Sequence, residues 1–116
     1  MKYFNDKDDF KGNIDKMDPK LLTMLDELRE EYGQPIVLNS SYRPASHPVE
    51  IVKSKPGEHT YGAAVDIKCA GGENTFNLVS AAIKVEIKRI GISRKSNFVH
   101  VGIGYPNAPE TTIWTY

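Results

Sequence analysis

Apolar residues recur at intervals of three and four along Leu21, Leu22, Leu25, Leu28 and Tyr32, while Lys20, Asp26, Glu27, Arg29 and Glu30 take the opposite face. That period predicts an amphipathic helix. Asp18-Pro19 supplies an N-cap acid and a proline at the first helical position, and Gly33 supplies the stop. After Pro35, Ile36-Val37-Leu38-Asn39 predicts a short buried strand. Ala63 to Lys68 predicts a second, with Ala64 and Asp66 on one side and Val65 and Ile67 on the other. Phe76, Val79, Ile83 and Ile87 predict the buried stripe of another helix, capped by Asn74 or Thr75. Ile90-Gly91-Ile92 reads as a short strand and Ser93 to Ser96 as a basic turn. Phe98 to Ile103 alternates, with Phe98, His100 and Gly102 facing one way. A last strand is expected over Thr111 to Thr115, around Trp114.

Between the first strand and the second, residues 44–58 carry four prolines or glycines and several charges, which predicts a long ordered loop. Residues 1–17 are polar, with Phe4, Phe10, Ile14 and Met17 as anchors onto the body. Strands and two principal helices without βαβ regularity predict an α+β domain with a mainly antiparallel sheet. At 116 residues the chain is expected to form one domain over 1–116, with 1–17 as an N-terminal extension packed on it.

Lys+Arg and Asp+Glu are equal at 15 each. This balance leaves no electrostatic footprint for nucleic acid or an anionic membrane, and it suits a small neutral or zwitterionic substrate. Cys69 is the one cysteine, so no intrachain disulfide forms. It lies three residues after Asp66 and so faces the other side of that strand, which favours an inert buried thiol over a catalytic Cys–His pair. No apolar run reaches signal-peptide or membrane-span length. The chain is therefore expected to be made in the cytoplasm, without membrane insertion.

Three side chains stand out chemically: His59 in a glycine-flanked loop, Asp66 on a strand of Ala, Val and Ile, and His100 on the apolar strand Phe98 to Ile103. A buried carboxylate costs several kcal/mol unless paired or metal-bound. Two imidazoles and one carboxylate supply three zinc ligands and leave a fourth position for water. The same residues also fit a turn-capping aspartate and a satisfied core histidine.

Gly57-Glu58-His59-Thr60-Tyr61-Gly62-Ala63-Ala64-Val65-Asp66 resembles the Ser-x-His-x-x-Gly-x-Ala-x-Asp signature of the M15 zinc peptidases. That family contains D-alanyl-D-alanine carboxypeptidases and the L-alanyl-D-glutamate endopeptidases of bacteriophage lysins. Ser40-Ser41-Tyr42-Arg43 resembles its Ser-Gly-Tyr-Arg segment, and Phe98-Val99-His100-Val101 its closing strand; Trp114 matches a tryptophan often found beyond that strand. The resemblance implies a hedgehog/DD-peptidase-like zinc cleft. It implies one Zn2+ held by His59, Asp66 and His100, with the zinc-bound water as nucleophile, and Arg43 near the cleft gripping a substrate carboxylate or an oxyanion. A surface ion pair with Glu50 or Glu58 is the other reading of Arg43.

The implied activity is hydrolysis of peptidoglycan stem peptides by a monomer. The missing leader fits a phage-type enzyme that reaches the cell wall after release or from the virion. Asn97 stands where relatives carry the general base, Gly102 where many carry an aspartate, and Gly57 where the signature has serine. Glu58 and His47 are the nearest replacements for the base; otherwise they are a solvated loop charge and an ordinary loop histidine. Ser41, Tyr42, Tyr61 and Trp114 are candidate substrate contacts or simple packing, as is Tyr105. The rival functions are a non-catalytic zinc-stabilised module binding cell wall or a protein, and a metal-free structural domain.

Overall fold

In the computed structural model, which describes residues 1–53 and 57–116, the elements follow the chain as α1 (Asp6–Asp9), α2 (Pro19–Tyr32), β1 (Leu38–Ser40), α3 (Pro48–Ile51), β2 (Ala64–Lys68), α4 (Gly72–Lys84), β3 (Arg89–Ser93), β4 (Phe98–Gly102) and β5 (Thr112–Thr115). Short 3-10 turns occur at Ile14–Lys16 and Glu58–Tyr61. The strands form one sheet in the order β1-β2-β4-β3-β5. Three of its pairings are antiparallel, and β3 with β5 is parallel. The fold is thus α+β with a mostly antiparallel sheet. The parallel pair arises because β4 already has neighbours on both sides, so the chain must pass to the far edge of β3 before its last strand.

Helix α2 follows its sequence signals closely. The Asp18 carboxylate accepts from the Lys20 N–H at 2.9 Å, Pro19 opens the helix and Gly33 closes it. Leu21, Leu25 and Leu28 are fully buried against the sheet and α4. Val65 and Ile67 of β2, Ile90 of β3 and Val99 and Val101 of β4 form the sheet side of this core. Phe10, Phe4 and Met17 from the N-terminal stretch are buried in it as well.

The stripe expected on the second helix is corrected in part: Ile87 is buried and Val79 packs on the core as expected, but the other two members face out. Phe76 and Ile83 are 71% and 61% exposed, and the buried positions are Thr75, Leu78, Ala81 and Ala82. Both stripes share the helical period and differ by one residue in phase. Small side chains at 81 and 82 let α4 approach α2 and the sheet closely, and this closeness outweighs burying the larger Phe76 and Ile83. The helix also starts earlier than expected, at Gly72, with Gly71 as N-cap in place of Asn74 or Thr75.

The first strand is shifted too. Its ladder covers Leu38–Ser40, with an irregularity in register, rather than 36–39. The expected loop over 44–58 contains the single turn of α3, for which His47 is the N-cap, accepting from the Val49 N–H through Nδ1 at 3.1 Å. Residues 54–56 of that loop lie outside the described residues. Among the described residues, no helix is long and apolar enough to cross a membrane.

Candidate metal centre

The sheet has one face on the helices and one on the cleft, and one row of residues across the second face carries Asp66 and His100. Ser40 pairs with Asp66, Asp66 with His100, His100 with Gly91, and Gly91 with Trp114. The alternation of β2 and β4 therefore places Asp66 and His100 side by side. The 3-10 turn Glu58–Tyr61, which leads into β2, brings His59 over them. One donor atom from each of His59, Asp66 and His100 lies within 4.8 Å of the other two. His59 and His100 are buried, and the Asp66 side chain is 13% exposed.

The hydrogen bonds around the two rings fix their tautomers. His59 Nδ1 lies 2.7 Å from the Ser41 carbonyl oxygen, which can only accept, so Nδ1 carries the proton and Nε2 a lone pair. His59 Nε2 faces Asp66 Oδ1 at 3.2 Å. His100 Nε2 lies 2.7 Å from Glu58 Oε1, and its Nδ1 faces the same Asp66 Oδ1 at 3.1 Å. With each outer nitrogen donating, three lone-pair atoms point at one another across a small gap. That arrangement is unfavourable unless a cation sits among them, and a metal ion fits this donor set. Without a metal, a second proton on His100 serves: burial lowers the affinity of its ring for that proton, but Asp66 and Glu58 outweigh burial and raise its pKa. For the Asp66 carboxyl, burial acts upward, yet His100 and His59 prevail and hold it well below the usual range.

Behind His100 lies a second layer. Glu58 is 4% exposed, which corrects its reading as a solvated loop charge. Its Oε1 accepts from His100, and its Oε2 accepts from Arg89 Nε at 2.9 Å and from the Gly104 N–H at 2.8 Å. Burial pushes the Glu58 carboxyl up, but these partners, His100 and Arg89 first, bring it below its ordinary value. Arg89 in turn donates to the Pro109 carbonyl at 2.6 Å and lies over the rings of Tyr105 and Trp114, 5.4 Å from each centroid. Gly91 lets the Trp114 indole cross the sheet: a Cβ there would sit 2.6 Å from the indole, which packs 5.1 Å from the His100 ring, centroid to centroid.

A cleft of about 320 Å3 opens over these groups. Arg43 lines it, with Nε 3.2 Å from Glu50 Oε2 but off the hydrogen-bonding direction, so the contact is ionic. No described residue hydrogen-bonds the two terminal nitrogens of Arg43. Trp114 lines the cleft as well. Tyr105 lines it too, while Asn97, His47, Ser41, Tyr42, Tyr61 and Cys69 are not among the residues lining it. Asn97 is exposed in the turn before β4, its carbonyl accepting from the Cys69 N–H at 2.8 Å. His47 caps α3, and Ser41 contributes its carbonyl to His59. Tyr42 packs on the core, and Tyr61 stacks on Tyr105 with centroids 5.8 Å apart. Cys69 is buried in the core beside Thr75.

The Peptidase M15 family model matches residues 4–102. The chain belongs to the peptidase M15 family. The match takes in His59, Asp66 and His100 and ends before β5, so Trp114 lies beyond it. No curated protein and no solved structure matches the chain. As an M15 peptidase it belongs to the hydrolases, in a family that is generally zinc-dependent, and its buried His-Asp-His group is one that can hold a metal ion.

Arg89 and Gly91 are the residues that sequence reasoning missed, whereas Glu50 meets Arg43 as the ion-pair reading of that arginine expected. Arg89 shares the period-2 face of Gly91, one residue before the expected strand start. A cation on the cleft-facing alternation of an apolar strand was the signal for it. The other partners of Glu50 carry no such signal, because they come from loop positions whose approach no periodicity encodes.

Proposed function

We propose that the chain is a zinc metallopeptidase acting on peptidoglycan stem peptides, as a carboxypeptidase or an endolysin-type endopeptidase in a hedgehog/DD-peptidase-like cleft. The observation that carries this reading is the convergence of the His59 Nε2 and His100 Nδ1 lone pairs on Asp66 Oδ1. A bound zinc supplies Lewis acidity toward the scissile carbonyl and toward a water molecule. Arg43 offers its guanidinium edge, unbonded among the described residues, to a substrate carboxylate or to oxyanion charge, with Glu50 holding the Nε edge in place. Trp114 and Arg89 give the cleft an aromatic and cationic wall. A neutral chain and an enzyme acting on the wall after release from a phage-infected cell are consistent with each other.

One observation favours a second reading, a metal-stabilised module that binds wall or a protein without cutting. Among the described residues lining the cleft, the acids are Glu58, whose two oxygens are both taken by donors, and Asp66, which the metal reading makes a ligand. Asn97 stands outside the cleft. The two readings separate in one experiment, in which zinc-loaded protein is incubated with purified peptidoglycan and new amino and carboxyl termini are followed by mass spectrometry. New termini at a stem-peptide bond establish the peptidase; wall binding without cleavage establishes the module.

A further inference from the structure

A carboxylate with three donors on its two oxygens has little left for a substrate, so the chemistry of Glu58 is directed inward. One oxygen holds the Nε2–H of His100. The other is held by Arg89 and by the backbone of Gly104, which fixes the carboxylate relative to β3 and to the end of β4. Gly102, two residues along β4 from His100, is the reason this carboxylate fits. A Cβ built at Gly102 would fall inside the van der Waals radius of the Glu58 carboxylate, with both oxygens and the carboxyl carbon in contact. Glu58 and a side chain at 102 therefore compete for one volume. A carboxylate on a short side chain at 102 would therefore lie close to the space that the Glu58 carboxylate now fills.

We propose that Glu58 is the positioning residue of the metal centre, setting the tautomer and ring orientation of His100, and that Gly102 is the paired vacancy that admits it. The inference rests on the metal reading above. The role belongs to a carboxylate at that point in space, not to position 58. An aspartate at position 102 should therefore replace Glu58 once Glu58 is shortened.

Zinc affinity, read by competition with a chromophoric chelator, tests this in wild type, Glu58→Ala, Gly102→Asp, and the double variant. Glu58→Ala should weaken zinc binding about 10- to 100-fold, the usual effect of removing a partner behind a ligating histidine. Gly102→Asp alone should also weaken it, because two carboxylates then crowd one site. The double variant should return to within about 5-fold of wild type, a non-additivity expected only of side chains sharing one site. Glu58→Gln keeps the side-chain shape and covers the case in which Glu58→Ala fails to fold; it should bind zinc about 10-fold more weakly. Circular dichroism of the metal-free forms establishes folding. Folded Glu58→Gln binding zinc as wild type does, or a double variant no better than Glu58→Ala, overturns the proposal while leaving the zinc reading intact. A wild type that binds no zinc overturns both.

Discussion

Glu50 and Glu58 stand eight residues apart, both buried, both ionised, and they do different work. Glu50 gathers a loop. Its oxygens take the Lys53 ammonium at 2.9 Å, the Gly57 N–H at 2.9 Å, the Thr60 hydroxyl at 3.2 Å and the ionic contact of Arg43. All four partners lie between residues 43 and 60, so Glu50 shapes the rim that presents Arg43. Glu58 gathers the sheet. Its partners Arg89, His100 and Gly104 come from β3, β4 and just beyond, and one of them is a candidate metal ligand. A buried carboxylate is thus a structural staple or part of the chemistry according to which donors close around it. Burial alone does not separate the two.

The strongest contrast with both glutamates comes from the candidate ligands. His59→Ala or Asp66→Ala should reduce bound zinc from about one per chain to nearly none, by metal analysis after dialysis, since two remaining donors hold zinc poorly. Retention of stoichiometric zinc in either variant would remove the centre from these residues. Glu50→Gln should leave zinc affinity unchanged and lower the stability of the metal-free protein by about 2–3 kcal/mol in urea unfolding, because Arg43 and Lys53 lose the charge between them. A zinc defect in Glu50→Gln, without one in Glu58→Gln, would reverse the division of labour.

The same variant carries a pH signature. Burial pushes the Glu50 carboxyl up, but Lys53, Gly57 and Arg43 outweigh it and hold it at about 2, against an ordinary 4.5. A depressed folded pKa contributes stability that is complete above the unfolded value and is lost as the pH falls through the folded one. The gap between wild type and Glu50→Gln should therefore be flat above pH 4.5 and close as the pH approaches about 2. A gap that persists at pH 2 would mean that shape, not charge, holds the loop.

A smaller effect is expected where the sheet row meets the cleft wall. Gly91→Ala puts a methyl group 2.6 Å from the Trp114 indole, so the ring must shift away from His100. The cost should be about 1–3 kcal/mol. Trp114 is the single tryptophan, so its fluorescence reports the movement directly. An unchanged emission spectrum in Gly91→Ala would show that the indole does not depend on that glycine.

These contrasts also mark what could be read along the chain. The shared face of Asp66 and His100 was legible, because alternation in a strand encodes which side a residue takes. The start and end of α2 were legible because Asp18, Pro19 and Gly33 act locally. The phase of α4 was not: Phe76 and Ile83 are the more hydrophobic choice, and only the close approach of α2 and the sheet to Ala81 and Ala82 decides against them. Glu58 misled for a related reason. It sits in a glycine-flanked turn beside a ligand, and its partners Arg89 and Gly104 are more than thirty residues away in sequence.

Asn97 closes the comparison as the position with the smallest expected effect. In sequence it stands three residues before His100, where relatives carry the general base. In the structure it is exposed, has φ 55° in the turn before β4, and contributes its carbonyl to Cys69 rather than its side chain to the cleft. An asparagine adopts that backbone readily, and an aspartate does so nearly as well. Asn97→Asp should therefore fold as wild type and keep its zinc. If the side chain stays outside the cleft, peptidoglycan cleavage should change by less than about 3-fold, whereas a positioned general base contributes about 10²- to 10⁴-fold. A rise of tenfold or more in the rate of new termini would show that the turn swings position 97 over the metal when substrate binds. The cleft would then be a peptidase site awaiting one carboxylate, and the engaged state of Glu58 would be the reason it needs one from elsewhere.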